Sequence, residues 1–501
     1  MKRKLKLGSL VKGERFSAAA ITALVLAVVV VLNVVLFILV ESFGWYLTPK
    51  SSFDISLSGA TDALFASAIE EGKRVKISFC MTEDEVRTHD TGSFVYTTAK
   101  NFEERYPQLV ELEYINAITQ KNSKGELVAM SKYQKDMNGN DIRIYKTSII
   151  FECGETYRVI TDMYTTAGYA DFYALDSSYE AYAYIGEEVM ASMMCWVMAD
   201  EHKSAYFTQY HGETVDINFS NLLSCAGYYV DTVDLRKEEI PEDADLLVIS
   251  NPTGDFEQAA EGSGLRTEME RIRSYMERGG GIFAIIDPYA KRLPVLESFL
   301  LEYGIAFSTV ETEDGRTVRN IVKDSGNAIT TDGFTLVANH ADGAVASKIG
   351  EKVGSLGSGR VILKDTAALT LTGEAEPILV SSQGSVCEAD GKTTDSEGSY
   401  PIAALSQKDG SKVFVVTSIY LAVADSLITK GYANKDFMYA LFENAFNAKQ
   451  LPYGCTSELF YTDTLENLTM GAARTYLVIA LCIPAAIAIV GGAVTIRRKN
   501  R

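Results

Sequence analysis

Two long apolar runs at opposite ends of the chain constrain what it can fold into more than any other feature. Residues 16–40 contain no charged side chain and are rich in Ala, Val and Leu, and residues 476–496 form a second such run. About 20 apolar residues span the hydrocarbon core of a bilayer as a helix. Lys2, Arg3, Lys4, Lys6, Lys12 and Arg15 precede the first run, against the single acid Glu14, and Arg497, Arg498, Lys499 and Arg501 follow the second. Basic flanks stay in the cytoplasm. The two runs therefore predict a two-pass membrane protein, with both termini cytoplasmic and residues 47–470 outside. The first run is too long for the apolar region of a signal peptide. It leads into Trp45 and Tyr46, an interfacial aromatic anchor.

With +5 in the N-terminal tail and +4 in the C-terminal tail, the chain's net charge of −19 leaves −28 between them. A segment this acidic excludes nucleic-acid binding through a basic patch. Seven cysteines are scattered without a C-x-x-C pair or metal-ligand spacing. They read as small buried hydrophobes rather than a disulfide framework.

Periodicity divides the remainder into α/β units. Residues 60–70 and 97–105 read as helices, and residues 74–79 and 109–115 as strands. Residues 147–152 and 157–161 are two further strands, after a polar loop or hairpin at 121–141. Residues 187–199 form a Met-rich apolar helix, read as core packing. A second alternation follows, with strands at 205–209, 229–235, 244–250 and 282–286, and helices at 219–226, 265–278 and 293–303. Residues 244–250 form a continuous apolar run, as in a strand buried on both faces of a parallel sheet. The order predicts a doubly wound, flavodoxin-like sheet. Beyond residue 309 the pattern is irregular. An exposed loop is expected at 384–399, a buried strand at 412–417 and a helix at 434–447. The expected domains are a tail at 1–15, a transmembrane helix at 16–40 and an α/β unit at 41–200. A flavodoxin-like domain with irregular insertions at 201–455, a stalk at 456–475, a transmembrane helix at 476–496 and a tail at 497–501 complete the chain.

The chain has four histidines, and His211 stands out because it follows the first strand of the doubly wound unit, within Tyr210-His211-Gly212-Glu213. Such folds bind ligands in loops at the carboxyl ends of their strands. His211 and Glu213 have the types and spacing of a base with its orienting acid, or of two metal ligands. No third metal ligand and no nucleophile elbow accompany them. Gly279-Gly280-Gly281 precedes a strand instead of opening a helix, which excludes a phosphate-binding loop. His211, Gly212 and Glu213 are therefore expected to shape a recognition loop without chemistry, cofactor or metal. Gly212 supplies a positive φ, and its replacement by Val is expected to harm folding more than replacement of His211 by Ala.

Several stretches together resemble the GldG-like auxiliary components of bacterial ABC transporters. They are, in order, Phe53-Asp54-Ile55-Ser56-Leu57-Ser58, Phe102-Glu103-Glu104-Arg105-Tyr106, Leu112-Glu113-Tyr114, Glu187-Glu188 and His211-Gly212-Glu213. After these come Ile240-Pro241-Glu242-Asp243-Ala244-Asp245 with the strand that follows, Gly279-Gly280-Gly281 running to Asp287-Pro288, and Asn434-Lys435-Asp436-Phe437. The resemblance covers most of the chain, most closely residues 50–310. The family has Gly before the His, where this chain has Tyr210. The resemblance implies a thioredoxin-like unit followed by a sheet similar to class I glutamine amidotransferases without the catalytic cysteine. It also implies a non-enzymatic extracytoplasmic subunit that works with an ABC permease and a separate ATPase and binds a ligand or partner. The competing reading is a membrane-anchored hydrolase or carbohydrate-active protein using His211 and Glu213.

The flanking charges make a direct prediction. Reporter fusions at residue 120 and at the C-terminus should report opposite sides of the membrane, and agreement between them would remove one of the two spans.

Overall fold

The computed structural model describes residues 55–460, apart from 90–91, 117–118, 164–171, 177, 179, 257–265 and 358. Both apolar runs lie outside the described residues. Among those described, no helix is long and apolar enough to cross a membrane. The described chain is mixed α/β and contains several sheets.

The first is four-stranded. Helix α1 (Ala60–Glu70) leads to β1 (Val75–Phe79), and α2 (Gly92–Arg105) connects it to β2 (Val110–Tyr114), which lies parallel to β1. The hairpin β3 (Ile149–Cys153) and β4 (Thr156–Ile160) adds antiparallel to the other side of β1, giving the order β2-β1-β3-β4. Alternation in β1 turns Val75, Ile77 and Phe79 into the core. The polar stretch after β2 contains a one-turn helix, Val128–Lys132, between two isolated bridges.

Helix α3 (Gly186–Met198) is buried at every position and packs on β3 and β4. A helix apolar all round requires cover on every side. The apolar run of this helix therefore has a structural use, and its methionines fill core space.

The second large sheet has nine strands. They are β5 (Lys203–Thr208), β6 (Tyr228–Val233), β7 (Ala244–Ser250), β8 (Gly281–Ile285), β9 (Thr335–His340), β10 (Val361–Lys364), β11 (Ala375–Val380), β12 (Pro401–Lys408) and β13 (Ser411–Val416). Their order across the sheet is β10-β9-β11-β12-β13-β8-β7-β5-β6. The last five are mutually parallel. In chain order those five run 2-1-3-4-5, so the winding reverses between β5 and β7. Helices α4 (Ile217–Cys225), α5 (Glu268–Glu277), α6 (Pro294–Glu302) and α7 (Asn434–Phe446) cover them. One face carries Leu247, Ile249, Ile282 and Ala284 against Ile272 and Tyr275 of α5 and Leu296 and Phe299 of α6. The other carries an aromatic layer in which Phe283 meets Phe219 of α4, Phe442 of α7 and Phe414 of β13. Both faces of β7 are thus covered, as its uninterrupted apolar run required.

The irregular stretch beyond residue 309 differs from expectation. Strands β9 to β12 extend the sheet by four antiparallel strands. Residues 384–399 are not simply a loop, since Val386–Ala389 pairs with Ile321–Lys323 and buries Cys387.

Two acids at the start of α3 tie the chain together. Glu187 is 5% exposed. Its Oε1 accepts from the Ser58 N–H at 2.8 Å and the Ser58 hydroxyl at 2.7 Å, and its Oε2 accepts from the N–H and hydroxyl of Thr456, both at 3.1 Å. One carboxylate therefore holds both the segment that follows the first apolar run and the segment that precedes the second. Glu188 accepts from the Lys435 ammonium at 2.8 Å and from the Tyr439 hydroxyl, both on α7. Burial alone would lower the Lys435 pKa, but the Glu188 charge and hydrogen bond outweigh it and raise it. Lys435→Met should destabilise the protein by about 3–5 kcal/mol, because it leaves Glu188 buried and uncompensated. Denaturant unfolding of the full chain measures this, and adding Glu188→Met should recover much of the loss.

Candidate functional site

The carboxyl ends of β5 and β7 meet where the winding reverses, the position at which open α/β sheets form a ligand crevice. The loop after β5 makes two left-handed steps, Tyr210 at φ 75° and Gly212 at φ 72°. Between them the His211 carbonyl accepts from the Thr253 N–H at 2.9 Å and the Gly254 N–H at 2.7 Å, binding this loop to the one after β7. A Cβ at residue 212 would lie 2.1 Å from the Thr253 hydroxyl. Tyr210 holds a conformation that favours glycine. Its exposed ring is covered on one side by the Arg236 guanidinium, 3.9 Å from the ring centre.

His211 and Glu213 do not open onto the crevice. Their side chains are only 3% and 4% exposed. His211 Nδ1 lies 2.7 Å from Glu213 Oε1, and Nε2 lies 3.1 Å from both carboxylate oxygens of Glu268. Phe256 stacks on the imidazole at 4.0 Å between ring centres. A carboxylate faces each ring nitrogen, an arrangement that favours the protonated imidazole. Burial pulls its pKa down, but hydrogen bonds to Glu213 and Glu268 outweigh this and raise it to about 9. Burial pushes Glu213 upward, and its bond from His211 more than reverses this, leaving its pKa below the usual carboxylate range.

Glu268 is the member of this cluster that the sequence reading omitted. It sits in the first turn of α5, whose capping box joins Thr267 and Glu270. That box is visible in the sequence as a helix start. The pairing of Glu268 with a histidine 57 residues earlier is not.

The crevice itself is lined by the residues just after the expected loop, Thr214 to Phe219, with Ser250, Asn251 and Ile285 at the strand ends. Asn251, directly after β7, is left-handed at φ 52°. A strained corner at this place can present a nucleophile, and here it bears an amide. The six described cysteines are unpaired thiols, and five are buried. Burial pushes Cys80, Cys195 and Cys387 up to about 12 and raises Cys225 and Cys455 as well. Thiols held this far up supply no thiolate at neutral pH. Among the described residues no cluster of His, Cys, Asp or Glu is arranged to hold a metal ion.

No family model and no curated protein matches the chain. Among solved structures, the N-terminal domain of mmIFT52 is 16% identical over 48% of this chain and 96% of its own, with a TM-score of 0.36. PurLQS from Thermotoga maritima is 13% identical over 48% of this chain and 98% of its own, at 0.26. A β-galactosidase from Rahnella sp. R3 is 14% identical over 52% of this chain and 34% of its own, also at 0.26. At these scores none of them carries an argument about this chain.

The imidazolium makes stability depend on pH. Its folded pKa lies above the free imidazole value, so its contribution is complete below about pH 6.5 and disappears as pH rises through about 9. The contribution is about 3 kcal/mol. Urea unfolding at pH 6 and pH 10 should show a loss of this size that His211→Gln lacks. His211→Ala leaves two facing buried carboxylates without their cation, a cost of about 3–5 kcal/mol. Gly212→Val costs about 1–3 kcal/mol for the strained backbone, plus the displacement of Thr253. In the same assay His211→Ala should therefore be at least as harmful as Gly212→Val, the reverse of the order expected from the turn alone.

Proposed function

We propose that the chain is a non-enzymatic, membrane-tethered subunit of an ABC-type transport complex, GldG-like, that binds a ligand or partner outside the cytoplasm and works with a permease and a separate ATPase. The observation that carries the non-enzymatic part is the saturation of His211. A general base needs a free ring nitrogen within reach of substrate, and both nitrogens here face buried carboxylates. This same observation counts against the hydrolase alternative built on His211 and Glu213. The finer fold reading, a thioredoxin-like unit followed by a flavodoxin-like sheet similar to glutamine amidotransferases, draws support from the β2-β1-β3-β4 order and the 2-1-3-4-5 parallel block.

The tether draws support from Glu187. The segments around Ser58 and Thr456, which lie on the sides of the domain toward the two apolar runs in the sequence, meet on one carboxylate. In the second run, Ala485-Ala486 and Gly491-Gly492 offer small side chains for close helix contact.

Affinity purification of the full chain from its native membrane in mild detergent should recover a multi-span permease and an ATPase in stable proportion. Recovery of the chain alone would sink the transporter reading. Hydrolytic turnover abolished by His211→Gln in a folded variant would restore the enzyme reading.

A further inference from the structure

Over the reversal point between β5 and β7 lies a cavity of about 140 Å³, walled by Ile217 and Phe219 of α4 and by Ile285, Ile419, Ala422 and Val423. It is smaller than the roughly 300–1,000 Å³ of sites for drug-sized ligands. Val215 and Ile419, at its mouth, are 39% and 42% exposed. Among the described residues no lysine or arginine lines it.

Doubly wound folds commonly place a phosphate at a helix N-terminus in this position. Here those donors are already taken. Asp216 caps α4, and its Oδ1 accepts from the Asn218 N–H and the Asn218 side-chain amide, both at 2.8 Å. Its backbone carbonyl accepts from the N–H groups of Phe219 at 3.1 Å and Ser220 at 3.2 Å. A carboxylate therefore occupies the place of the anion. Asp216 lines the cavity together with Asp176. Burial raises the Asp216 pKa, and the nearby charge of Asp425 adds to this. A positive charge beside it would relieve both costs.

We infer that this cavity takes a small aliphatic ligand bearing a protonated amine, with the ammonium on Asp216 and the hydrocarbon against Ile217, Ile419 and Val423, and that it rejects phosphates and carboxylates. The assignment rests on the reading of this domain as a binding subunit and gives that subunit a ligand class. Apolar walls with a few placed polar groups are the usual composition of a small-molecule site. A hydrogen bond to a charged group contributes about 1.5–3 kcal/mol, enough to discriminate an amine from an isosteric alcohol.

The test is calorimetric titration of the full chain in detergent with n-pentylamine, n-pentanol and pentanoate, each against detergent alone. Pentylamine should bind saturably, pentanol at least about tenfold more weakly, and pentanoate not at all. Asp216→Asn retains a good helix cap and should lose at least about tenfold in pentylamine affinity. Val423→Phe, which fills the cavity from its wall, should abolish binding without touching the cap. Absence of saturable pentylamine binding, equal binding of pentanoate, or unchanged affinity in both variants would overturn the assignment. Loss of amine binding with the permease still co-purifying would refute this ligand class and leave the proposed function standing.

Discussion

At the amino end of α3 two adjacent buried glutamates act in opposite directions along the chain. Glu187 takes hydrogen bonds from Ser58 and Thr456, residues near the two ends of the domain. Glu188 takes the ammonium of Lys435 and the hydroxyl of Tyr439 on α7. Acids are stabilised at a helix N-terminus by the helix dipole, so this is the least costly place on α3 to bury them. The rest of the helix is apolar and meets the four-stranded sheet on one side and α4 on another. The helix thereby links the four-stranded sheet to a helix that covers the nine-stranded one, and Ser58 and Thr456 share one anchor. A buried carboxylate that lost either set of donors would face a large desolvation penalty, which makes the arrangement cooperative.

The same device recurs at the carboxyl edge of the parallel strands. There a buried cation, His211, is enclosed by Glu213 and Glu268. This cluster joins the loop after β5 to the start of α5 and leaves the crevice beside it to the residues of the next turn. The cavity is lined by apolar side chains together with Asp176, Thr214, Asp216, Asn218, Ser250 and Asn251. A chain that keeps its only conspicuous histidine as a structural cation differs from one that uses a histidine as a base, because the base must retain a nitrogen free to exchange protons.

Strand β7 was legible to the residue, since a continuous apolar run has one economical reading, a strand covered on both faces. Helices closed by glycine, such as α4 before Gly227, were legible because the left-handed step that stops them suits glycine. Strands β9 to β12 were not. Their pairing is antiparallel, partly bulged between Pro377 and Val380, and set by partners far along the chain, so local alternation is weak evidence for them. Residues 384–399 misled because polar composition dominates there, whereas the burial of Cys387 comes from a strand more than 60 residues earlier.

At the site, the position of the loop could be read from strand order alone, because the reversal of winding follows from the succession of strands and helices. Which way His211 points could not. That depends on Glu268 and Phe256 arriving beside it through the packing of α5 and the loop after β7. Likewise Glu187-Glu188 and Asn434-Lys435-Asp436-Phe437 were visible as two separate motifs, and only the tertiary structure joins them through an ion pair spanning 247 residues. The sequence by itself determined the apolar periodicity, the turns that require positive φ and the acidic balance, all of which are local or additive properties of the residues. The tertiary structure decided which buried charges meet, because a charge can be buried only where its partner is delivered, and delivery is a property of the whole fold.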